Sequence, residues 1–539
     1  MRRYEFLPYL CDFYKTTHSN QYNPDVKYIY SNFVPRMSRI KGIDNVMFFG
    51  LQGFVFDKII NGINKNFFEL PKEEFEKQLS LYKEHIENSL GETAKYVDFE
   101  KYRKLYNLGY LPVKIMGLEE GSIVPIKTPL FEISNTHPDF AWVTNFLESY
   151  ISAELWYPIT VATFALEYRK IFHEFYGITC DDWQEYYHDN FIGENCENPG
   201  KELNKWSRKN SSISEFGTRG GQSMDSAIKA SAAFLTCFNK SANVAVGPYI
   251  QEYYDADKDT ALGMVSTEHS VMCSNFAIDG DEETFFNKLI TEIYPTGNIS
   301  VVVDSYDDWN FINNILPKFK DKIINRDGCV GIRLDSGDIV EQIIKGVEAL
   351  WNIFGGRRTK KGYKVLDSHV KIIYGDSVTI NRAKKIYRGL MDKGFAINNV
   401  SLGAGSFSML CYEDEDGKLY PFTRDTFGIA IKATHCVTID KEGNKREIPI
   451  FKDPKSDNEN FKKSYKGRVR VYWDGGVKVE DGMDSTLEEK QIRNALSNIY
   501  FKDGKGFKVN EWCKIQRRLD LRLDSIQYWY DKYMYFEEE

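Results

Sequence analysis

Three consecutive stretches in the second half of the chain share one order: an apolar run, a polar turn and then apolar residues at helical spacing. They read ISVVVDSYDDWNFINNIL (299–316), CVGIRLDSGDIVEQIIKGVEAL (329–350) and VKIIYGDSVTINRAKKIYRGLM (370–391). NVSLGAGSFSML (399–410) adds a strand with a Gly-rich exit, and upstream NVAVG (243–247) and GMVSTEHSVM (263–272) fit the same scheme. A buried strand followed by an amphipathic helix is a β-α unit. The repeat therefore predicts a parallel sheet with at least five strand exits.

The repeat predicts an α/β fold, an irregular (β/α) TIM-like barrel, accompanied by a second, sheet-rich α+β lobe. We assign residues 1–139 to the first part of the sheet-rich lobe, 140–408 to the barrel-like domain and 409–539 to a C-terminal part that returns to the first lobe. Residues 181–212 are polar without a sustained period and are interpreted as a surface insertion. An open doubly wound sheet is the alternative, but Gly403 and Gly405 match only part of a dinucleotide signature and come late in the chain.

Composition excludes several classes of protein. The formal charge of −8 in 539 residues disfavours a general nucleic-acid binder, which would normally be basic. The nine cysteines are scattered without a C-x-x-C pair, which is typical of reduced thiols and not of a disulfide framework or zinc site. We find no signal peptide and no run of 18 apolar residues, so a cytoplasmic protein without a membrane partner is expected.

Acidic residues follow three of the predicted strands. Asp304, Asp335 and Asp376 each stand at a strand exit, and Arg333 lies two residues before Asp335. Because the carboxyl ends of parallel strands in a barrel meet on one face, these side chains are expected to converge. Carboxylates there can accept from ribose hydroxyls or bind hydrated Mg²⁺. The alternative is that each acid only caps the helix that follows it.

Other segments add candidates for binding a phosphate or an aromatic ring. GAGS (403–406) is a backbone that can cradle a phosphate oxygen, and EFGTRGG (215–221) places Phe216 and Arg219 where they can grip a flat ring. Each reading has a plain structural alternative, such as a core phenylalanine beside a surface arginine. Four further cations are candidates for a polyphosphate site: Arg36, Arg424, Lys432 and Lys452.

His269 in VSTEHSVM has three interpretations: a structural histidine tied by Glu268 or the flanking hydroxyls, a general acid or base, or a phosphoryl acceptor. From the residues alone the structural interpretation leads. The chain lacks the H-E-x-x-H, Walker A and nucleophile-elbow motifs in a suitable context, so metalloproteases, P-loop enzymes and α/β-hydrolases are excluded.

Nine ordered motifs across nearly the whole chain resemble the family of nicotinamide and nicotinate phosphoribosyltransferases. The motifs are DFYKTTHSNQY (12–22), FFGLQGF (48–54), WYPITVAT (156–163), TEHS (267–270), DSYD (304–307), RLDSGD (333–338), GDSV (375–378), TRD (423–425) and FKDP (451–454). The resemblance implies a homodimer with shared active sites. The reaction it implies converts nicotinamide and phosphoribosyl pyrophosphate to nicotinamide mononucleotide and pyrophosphate, with Mg²⁺ and optional ATP coupling.

The resemblance also implies a role for each candidate residue. Phe216 and Tyr14 of the other subunit would sandwich the pyridine ring, with Arg219 and Asp304 at the base end. At the ribose it implies Arg333, Asp335 and Asp376, and near magnesium it implies Asp304 and Asp335. The 5′-phosphate would be bound by Gly375, Gly405 and Ser406. Pyrophosphate or ATP would be bound by Arg36, Arg424, Lys432 and Lys452. His269 would be phosphorylated during ATP use and would couple ATP hydrolysis to the transfer reaction. Glu268 would orient its imidazole ring.

Two departures from the family pattern bear on the substrate. Ala242 stands where nicotinamide enzymes carry an Asp, and Gly220 stands where nicotinate enzymes carry a second Arg. In addition, Ser406 replaces a glycine of the phosphate loop. TEHS and WYPIT favour the nicotinamide branch. A nicotinate enzyme is the alternative within the family, and an inactive nucleotide-binding homologue is the alternative of another class.

Overall fold

The computed structural model describes residues 2–182, 199–375, 377–456, 462–489 and 492–520, and these form two compact units. One unit comprises the chain up to Thr163, Glu252–Asp255 and Thr423–Ile515. The other comprises the described residues of Phe164–Gln251 and Ala256–Phe422 together with residues 516–520. The main limits are therefore at 163 and 422, whereas the sequence pattern predicts limits at 139 and 408.

The first unit is built on a seven-stranded antiparallel sheet in which three strands from the first part of the chain lie between two pairs of strands from its last part. Across the sheet the strands are Lys445–Pro449, Ala430–Ile439, Val26–Val34, Phe131–Asn135, Val113–Gly117, Asn498–Lys502 and Lys505–Gly506. Phe33 pairs with Ile431 on one side and with Phe131 on the other. The rings of Phe33 and Phe131 stack with centroids 4.5 Å apart, so aromatic cross-strand pairing supports the centre of the sheet.

Two smaller antiparallel sheets and several helices complete this unit. One sheet pairs Asn45–Met47 with Ile123–Pro125, and the other is the hairpin of Arg468–Trp473 and Val477–Met483. The helices include Phe13–Asn20, Leu51–Phe54, Val55–Phe68, Lys72–Leu90 and Glu100–Leu108. The helix Lys72–Leu90 is amphipathic. It buries Phe75, Leu79, Tyr82 and Ile86, which recur every three or four residues.

A helix of 32 residues, Glu148–Thr179, contains the boundary between the two units and includes Pro158. None of the described helices combines the length and apolar character needed to cross a lipid bilayer.

The second unit is mixed α/β and contains a six-stranded parallel sheet. In sheet order its strands are Ile213–Glu215, Val400–Ala404, Val370–Tyr374, Val330–Leu334, Ile299–Val302 and Val265–Ser266. The central strands are almost fully buried, as expected when helices cover a parallel sheet. The helix Ile339–Phe354 packs closely against the strand Val370–Tyr374, and a Cβ on Gly346 would lie 2.9 Å from Ile372 Cδ1.

The other helices and hairpins of this unit surround that sheet. The principal helices are Pro199–Asn210, Met224–Leu235, Val246–Tyr254, His269–Asp279, Glu282–Lys288, Lys320–Ile324, Ile339–Phe354 and Ile380–Asp392. Short hairpins pair Gly356–Arg358 with Lys364–Leu366 and Cys411–Glu413 with Leu419–Pro421. Isolated parallel bridges join Glu215 to Ser241 and Lys240 to Leu262.

One local prediction was wrong, and a second falls only partly on the described residues. NVAVG (243–247) is no strand: the Asn243 side chain accepts a hydrogen bond from the Ala245 amide at 3.1 Å, and a helix begins at Val246. The predicted surface insertion 181–212 contains the helix Pro199–Asn210, in which Ser207 and Arg208 are buried. Arg208 forms an ion pair with Asp520, a partner 312 residues away that a local pattern does not indicate. Residues 183–198 of the insertion lie outside the described part of the chain.

Candidate active site

The parallel sheet of the second unit brings the predicted strand exits to one edge. Because its six strands are parallel, their carboxyl ends share that edge. The residues at these ends are Glu215, Thr267, Val303, Asp335, Gly375 and Gly405. The candidates that follow different strands in the sequence are therefore neighbours in the fold, whereas Asp376 lies outside the described residues.

His269 contacts one of the strand-end acids directly. Its Nε2 atom lies 3.0 Å from Asp304 Oδ1. Asp304 is nearly buried, with 6% of its side chain exposed, whereas the imidazole is 51% exposed. The expected partner Glu268 instead accepts a hydrogen bond from Ser270. A fixed carboxylate on Nε2 leaves Nδ1 as the nitrogen of His269 that can act on a ligand.

Arg333 and Asp335 form a second charged pair at the same edge. Arg333 Nε lies 3.1 Å from Asp335 Oδ2, and its Nη1 atom donates to Ser266 Oγ at 2.9 Å. The Gly375 amide donates to Asp335 Oδ1 at 3.2 Å. The ends of two other strands, the adjacent Val370–Tyr374 and the more distant Val265–Ser266, thus hold the Arg333 and Asp335 side chains in place. Ser266 was not among the predicted site residues, because a hydroxyl at the end of a strand carries no distinctive pattern.

The two charged pairs influence each other. Burial raises the pKa of Asp335, the Arg333 guanidinium opposes that shift, and the negative charge of Asp304 adds to it. Two carboxylates close enough to interact in this way are oxygen donors suited to a hard cation such as Mg²⁺. Among the described residues, no group of three or more His, Cys, Asp or Glu side chains forms a metal cage.

The helix caps following these strands are made by other residues. Asp307 accepts from the Asn310 amide at 2.8 Å, and Asp338 accepts from the Glu341 amide at 2.9 Å. Each capping acid lies three residues after a strand-end acid, Asp304 or Asp335. The interpretation of Asp304 and Asp335 as helix caps is therefore wrong, and their side chains are committed to His269 and Arg333.

Phe216 lies against glycine backbone at this edge. A Cβ on Gly403 would lie 2.3 Å from Phe216 Cδ2, and one on Gly375 would lie 3.6 Å from the same atom and 3.0 Å from Asp335 Oδ1. Phe216 is half-buried, and its backbone amide donates to the Ala404 carbonyl at 2.8 Å. The predicted ring-binding phenylalanine is thus placed beside the predicted ribose-site acid.

Glu215 fixes the turn that carries Phe216. Its buried carboxylate accepts hydrogen bonds from the Gly217 amide and the Ser241 hydroxyl, and burial raises its pKa although these bonds oppose the shift. The Ala242 amide donates to the Glu215 carbonyl at 2.8 Å, so the Ala242 segment joins the same turn. Arg219 stands exposed on the short helix Thr218–Gly220. Glu215 was missed as a positioning residue because its role depends on a contact with Ser241.

The four predicted phosphate-binding cations lie in the first unit. Burial lowers the pKa of Lys432, Glu148 opposes that shift, and the charges of Arg36, Lys452 and Arg424 add to it. Lys432 Nζ lies 3.6 Å from Glu148 Oε1. These four cations therefore form a basic cluster, and the binding of an anion by this cluster stays a prediction.

Tyr14 also belongs to the first unit, where 59% of the residue is exposed. Its neighbour Lys15 is buried and donates to Glu148 Oε2 at 2.9 Å and to the Asn145 carbonyl at 2.7 Å. Lys15 Nζ lies 5.3 Å from the centroid of the Tyr14 ring. A buried cation therefore anchors the segment that presents this exposed aromatic ring.

Comparisons with known proteins agree in sequence and in fold. Residues 211–499 match the model of the nicotinate phosphoribosyltransferase (NAPRTase) family, and residues 7–115 match that of the nicotinamide phosphoribosyltransferase N-terminal domain. The nicotinamide phosphoribosyltransferase of Acinetobacter baylyi is 35% identical over 96% of this chain and 97% of its own length. The protein of the same name from Mycoplasma genitalium is 26% identical over 85% of this chain and 93% of its own.

Two crystal structures share the fold at low sequence identity. Nicotinate-nucleotide pyrophosphorylase from Pyrococcus furiosus has a TM-score of 0.52 at 13% identity and covers 98% of this chain and 97% of its own. Human nicotinic acid phosphoribosyltransferase has a TM-score of 0.51 at 15% identity, with coverage of 95% and 93%. At these identities the likeness concerns the fold alone.

Proposed function

The chain belongs to the nicotinate phosphoribosyltransferase (NAPRTase) family, and from this we propose that it transfers the phosphoribosyl group of phosphoribosyl pyrophosphate to nicotinamide. The products are nicotinamide mononucleotide and pyrophosphate, a step of NAD salvage. The observation that carries the proposal is the juxtaposition, at one sheet edge, of the Phe216 ring with the Arg333–Asp335 pair.

This arrangement supplies what glycosyl transfer requires. The sugar develops positive charge at its anomeric carbon as pyrophosphate leaves, and a fixed carboxylate nearby stabilises that charge. Asp335, held by Arg333 and the Gly375 amide, supplies this carboxylate. Phe216 aligns the pyridine ring so that its nitrogen meets the anomeric carbon, which converts a bimolecular encounter into a positioned one. The reaction needs no protein nucleophile.

A magnesium ion fits the donors that are present. Mg²⁺ usually keeps several waters and binds through one or two carboxylates together with substrate phosphates. Asp335 and Asp304 offer two such carboxylates, and the negative charge of Asp304 helps to raise the pKa of Asp335. When bound, the ion would neutralise charge on the leaving pyrophosphate.

The remaining phosphates of the substrates are assigned to two sets of residues. The backbone at Gly375, Gly405 and Ser406 would receive the 5′-phosphate, since these residues follow two adjacent strands. Arg36, Arg424, Lys432 and Lys452 would receive pyrophosphate or ATP phosphates. The electrostatic coupling of these four cations supports that assignment.

The contact with Asp304 supports ATP coupling through His269. A hydrogen bond donated by Nε2–H to Asp304 would leave the lone pair on Nδ1, and Nδ1 would attack the γ-phosphorus of ATP with ADP as the leaving group. Phosphohistidine would then stand beside the ribose site and link ATP hydrolysis to transfer.

Replacing His269 with alanine is expected to abolish ATP-dependent labelling of the protein while leaving phosphoribosyl transfer without ATP measurable. Labelling is followed by mass spectrometry under alkaline conditions, in which phosphohistidine survives. His369 is a matched control, because its Nδ1 is paired with Asp367 at 2.7 Å outside the strand-end cluster. Label on the wild-type protein at another residue, or none in an active enzyme, would return His269 to a structural role.

Nicotinamide is preferred to nicotinate as the substrate. Several relatives, including the one that matches 96% of this chain, bear the name nicotinamide phosphoribosyltransferase. The predicted departures remain: Ala242 contributes only its backbone to the Glu215 turn, and Arg219 is followed by Gly220. A carboxylate substituent on the base would therefore meet Arg219 in this turn but no second cation at position 220.

Three further properties belong to the proposal. The isolated bridges through Ser241 and Leu262 support closure of the parallel sheet into an irregular (β/α) barrel. Exposed Tyr14 supports a homodimer in which this ring reaches the active site of the other subunit. Each cysteine among the described residues carries a free thiol, which supports a cytoplasmic location.

The test is product formation with one base at a time. The protein is incubated with phosphoribosyl pyrophosphate, Mg²⁺ and either nicotinamide or nicotinate, and mononucleotide and pyrophosphate are quantified. We expect both products from nicotinamide in equal amounts. Absence of mononucleotide with either base would support the inactive nucleotide-binding homologue instead.

A further inference from the structure

Two residues that depart from the family pattern, Gly220 and Ser406, lie against each other. A Cβ built on Gly220 would lie 2.0 Å from Ser406 Oγ, 2.9 Å from Ser406 Cβ and 3.2 Å from Ser406 Cα. Rotating the serine side chain moves Oγ but leaves the other two atoms in place. Since carbon atoms pack best at about 3.5–4.0 Å, the space for a side chain at position 220 is already filled.

The segments that carry these residues are tied to each other. The Phe216 amide donates to the Ala404 carbonyl at 2.8 Å, just before the two residues in question. A second close approach occurs nearby, where a Cβ on Gly217 would lie 2.2 Å from Met409 Sδ. The Leu410 amide also donates to the Ser406 carbonyl at 2.8 Å, which fixes the serine backbone. The contact between Gly220 and Ser406 is therefore not relieved by a simple shift of either segment.

We propose that Gly220 and Ser406 form one specificity element of the base-binding site, in which the serine side chain excludes any side chain at position 220. The proposal rests on the function proposed above. Arg219 is then the sole cation of the turn GTRGG, and no second cation can be added at position 220 while Ser406 is present. A carboxylate substituent would gain from a paired cation, whereas a neutral carboxamide does not need one. The element thus favours a neutral pyridine substituent.

The steric part is tested by a double-mutant cycle with Gly220→Ala, Ser406→Gly and the combined variant. Gly220→Ala is expected to lower kcat/KM for nicotinamide by about tenfold or more, because overpacking displaces the ring-binding turn. The combined variant should recover most of the loss, though not all, since Ser406 Cα remains 3.2 Å from the added Cβ. Wild-type activity in Gly220→Ala would overturn the proposal, as would losses that simply add in the combined variant.

Thermal melting provides a second measurement of the same coupling. If Gly220→Ala does not fold, restoration of a cooperative melting transition by Ser406→Gly supports the element, and failure to restore it overturns the element. The melting cycle does not depend on catalysis. An inactive wild-type protein would therefore refute the proposed function, while the steric coupling would still be measured.

The specificity part is tested with Gly220→Arg in the Ser406→Gly background. Relative to Ser406→Gly alone, the ratio of kcat/KM for nicotinate to that for nicotinamide is expected to rise about tenfold or more, since a charged pair adds binding only for the anionic base. Gly220→Lys in the same background serves as a control for charge without the planar fork of arginine. An unchanged ratio in both combined variants would overturn the specificity role.

Discussion

Replacing Asp335 with alanine is expected to lower kcat/KM by about 100-fold or more, because losing one preorganised charged group at a transition state commonly costs about 10²–10³ in rate. Asp335 faces Arg333 Nε at 3.1 Å and the Gly375 amide at 3.2 Å. Its removal takes away the carboxylate of the proposed ribose site and releases the Arg333 side chain. The variant should remain folded, and its initial rate of mononucleotide formation and its melting temperature measure the two effects separately.

Asp338 provides the matched control for this variant. It lies three residues further along the same RLDSGD segment and caps the helix Ile339–Phe354 through the Glu341 amide. Asp338→Ala should lower the free energy of unfolding by about 1 kcal/mol with little change in turnover. Asp335→Ala would then behave like its control if it lowered the melting temperature and kept normal turnover. That result would show that the Asp335 carboxylate has a structural role only.

Replacing Gly403 with alanine is expected to have the second large effect, a strong rise in KM for nicotinamide. The added Cβ would lie 2.3 Å from Phe216 Cδ2 and 2.9 Å from Gly375 Cα, and the second contact is with backbone that cannot rotate away. The Phe216 ring must then leave its place, which removes the platform for the pyridine. We expect overpacking to lower the free energy of unfolding by about 1–3 kcal/mol as well.

Gly263→Ala is the control for Gly403→Ala. Gly263 precedes the strand Val265–Ser266 of the same sheet, and a Cβ there would have no neighbour within 4 Å. Steady-state kinetics with nicotinamide varied at fixed phosphoribosyl pyrophosphate should therefore separate the two variants. Equal KM values for Gly403→Ala and the wild-type protein would show that the Phe216 ring does not bind the base.

The parallel sheet of the second unit was predictable because its strands are apolar runs followed by helices with a clear period. The runs 299–303, 330–334, 370–374 and 400–404 all contain observed strands. The NVAVG segment failed because a short apolar run does not distinguish a strand from the start of a helix. There the Asn243 side chain turns the backbone into a helix at Val246.

The partners of the site residues could not be predicted from local sequence. Asp304 and Asp307 are both plausible helix caps by spacing, and only the fold shows that Asp304 meets His269, 35 residues away. The adjacent Glu268 was the expected partner of His269, but adjacent side chains do not necessarily point the same way. The contact between Gly220 and Ser406 depends likewise on two strands meeting in the sheet.

A competition between the two bases in one reaction tests the proposed substrate and the role of Asp335 together. Equal concentrations of nicotinamide and nicotinate are supplied with phosphoribosyl pyrophosphate and Mg²⁺, and the two mononucleotides are quantified by mass spectrometry. The strand-end site described here predicts nicotinamide mononucleotide as the main product, and its loss in Asp335→Ala. Nicotinate mononucleotide as the main product, or product formation that survives in Asp335→Ala, would contradict it.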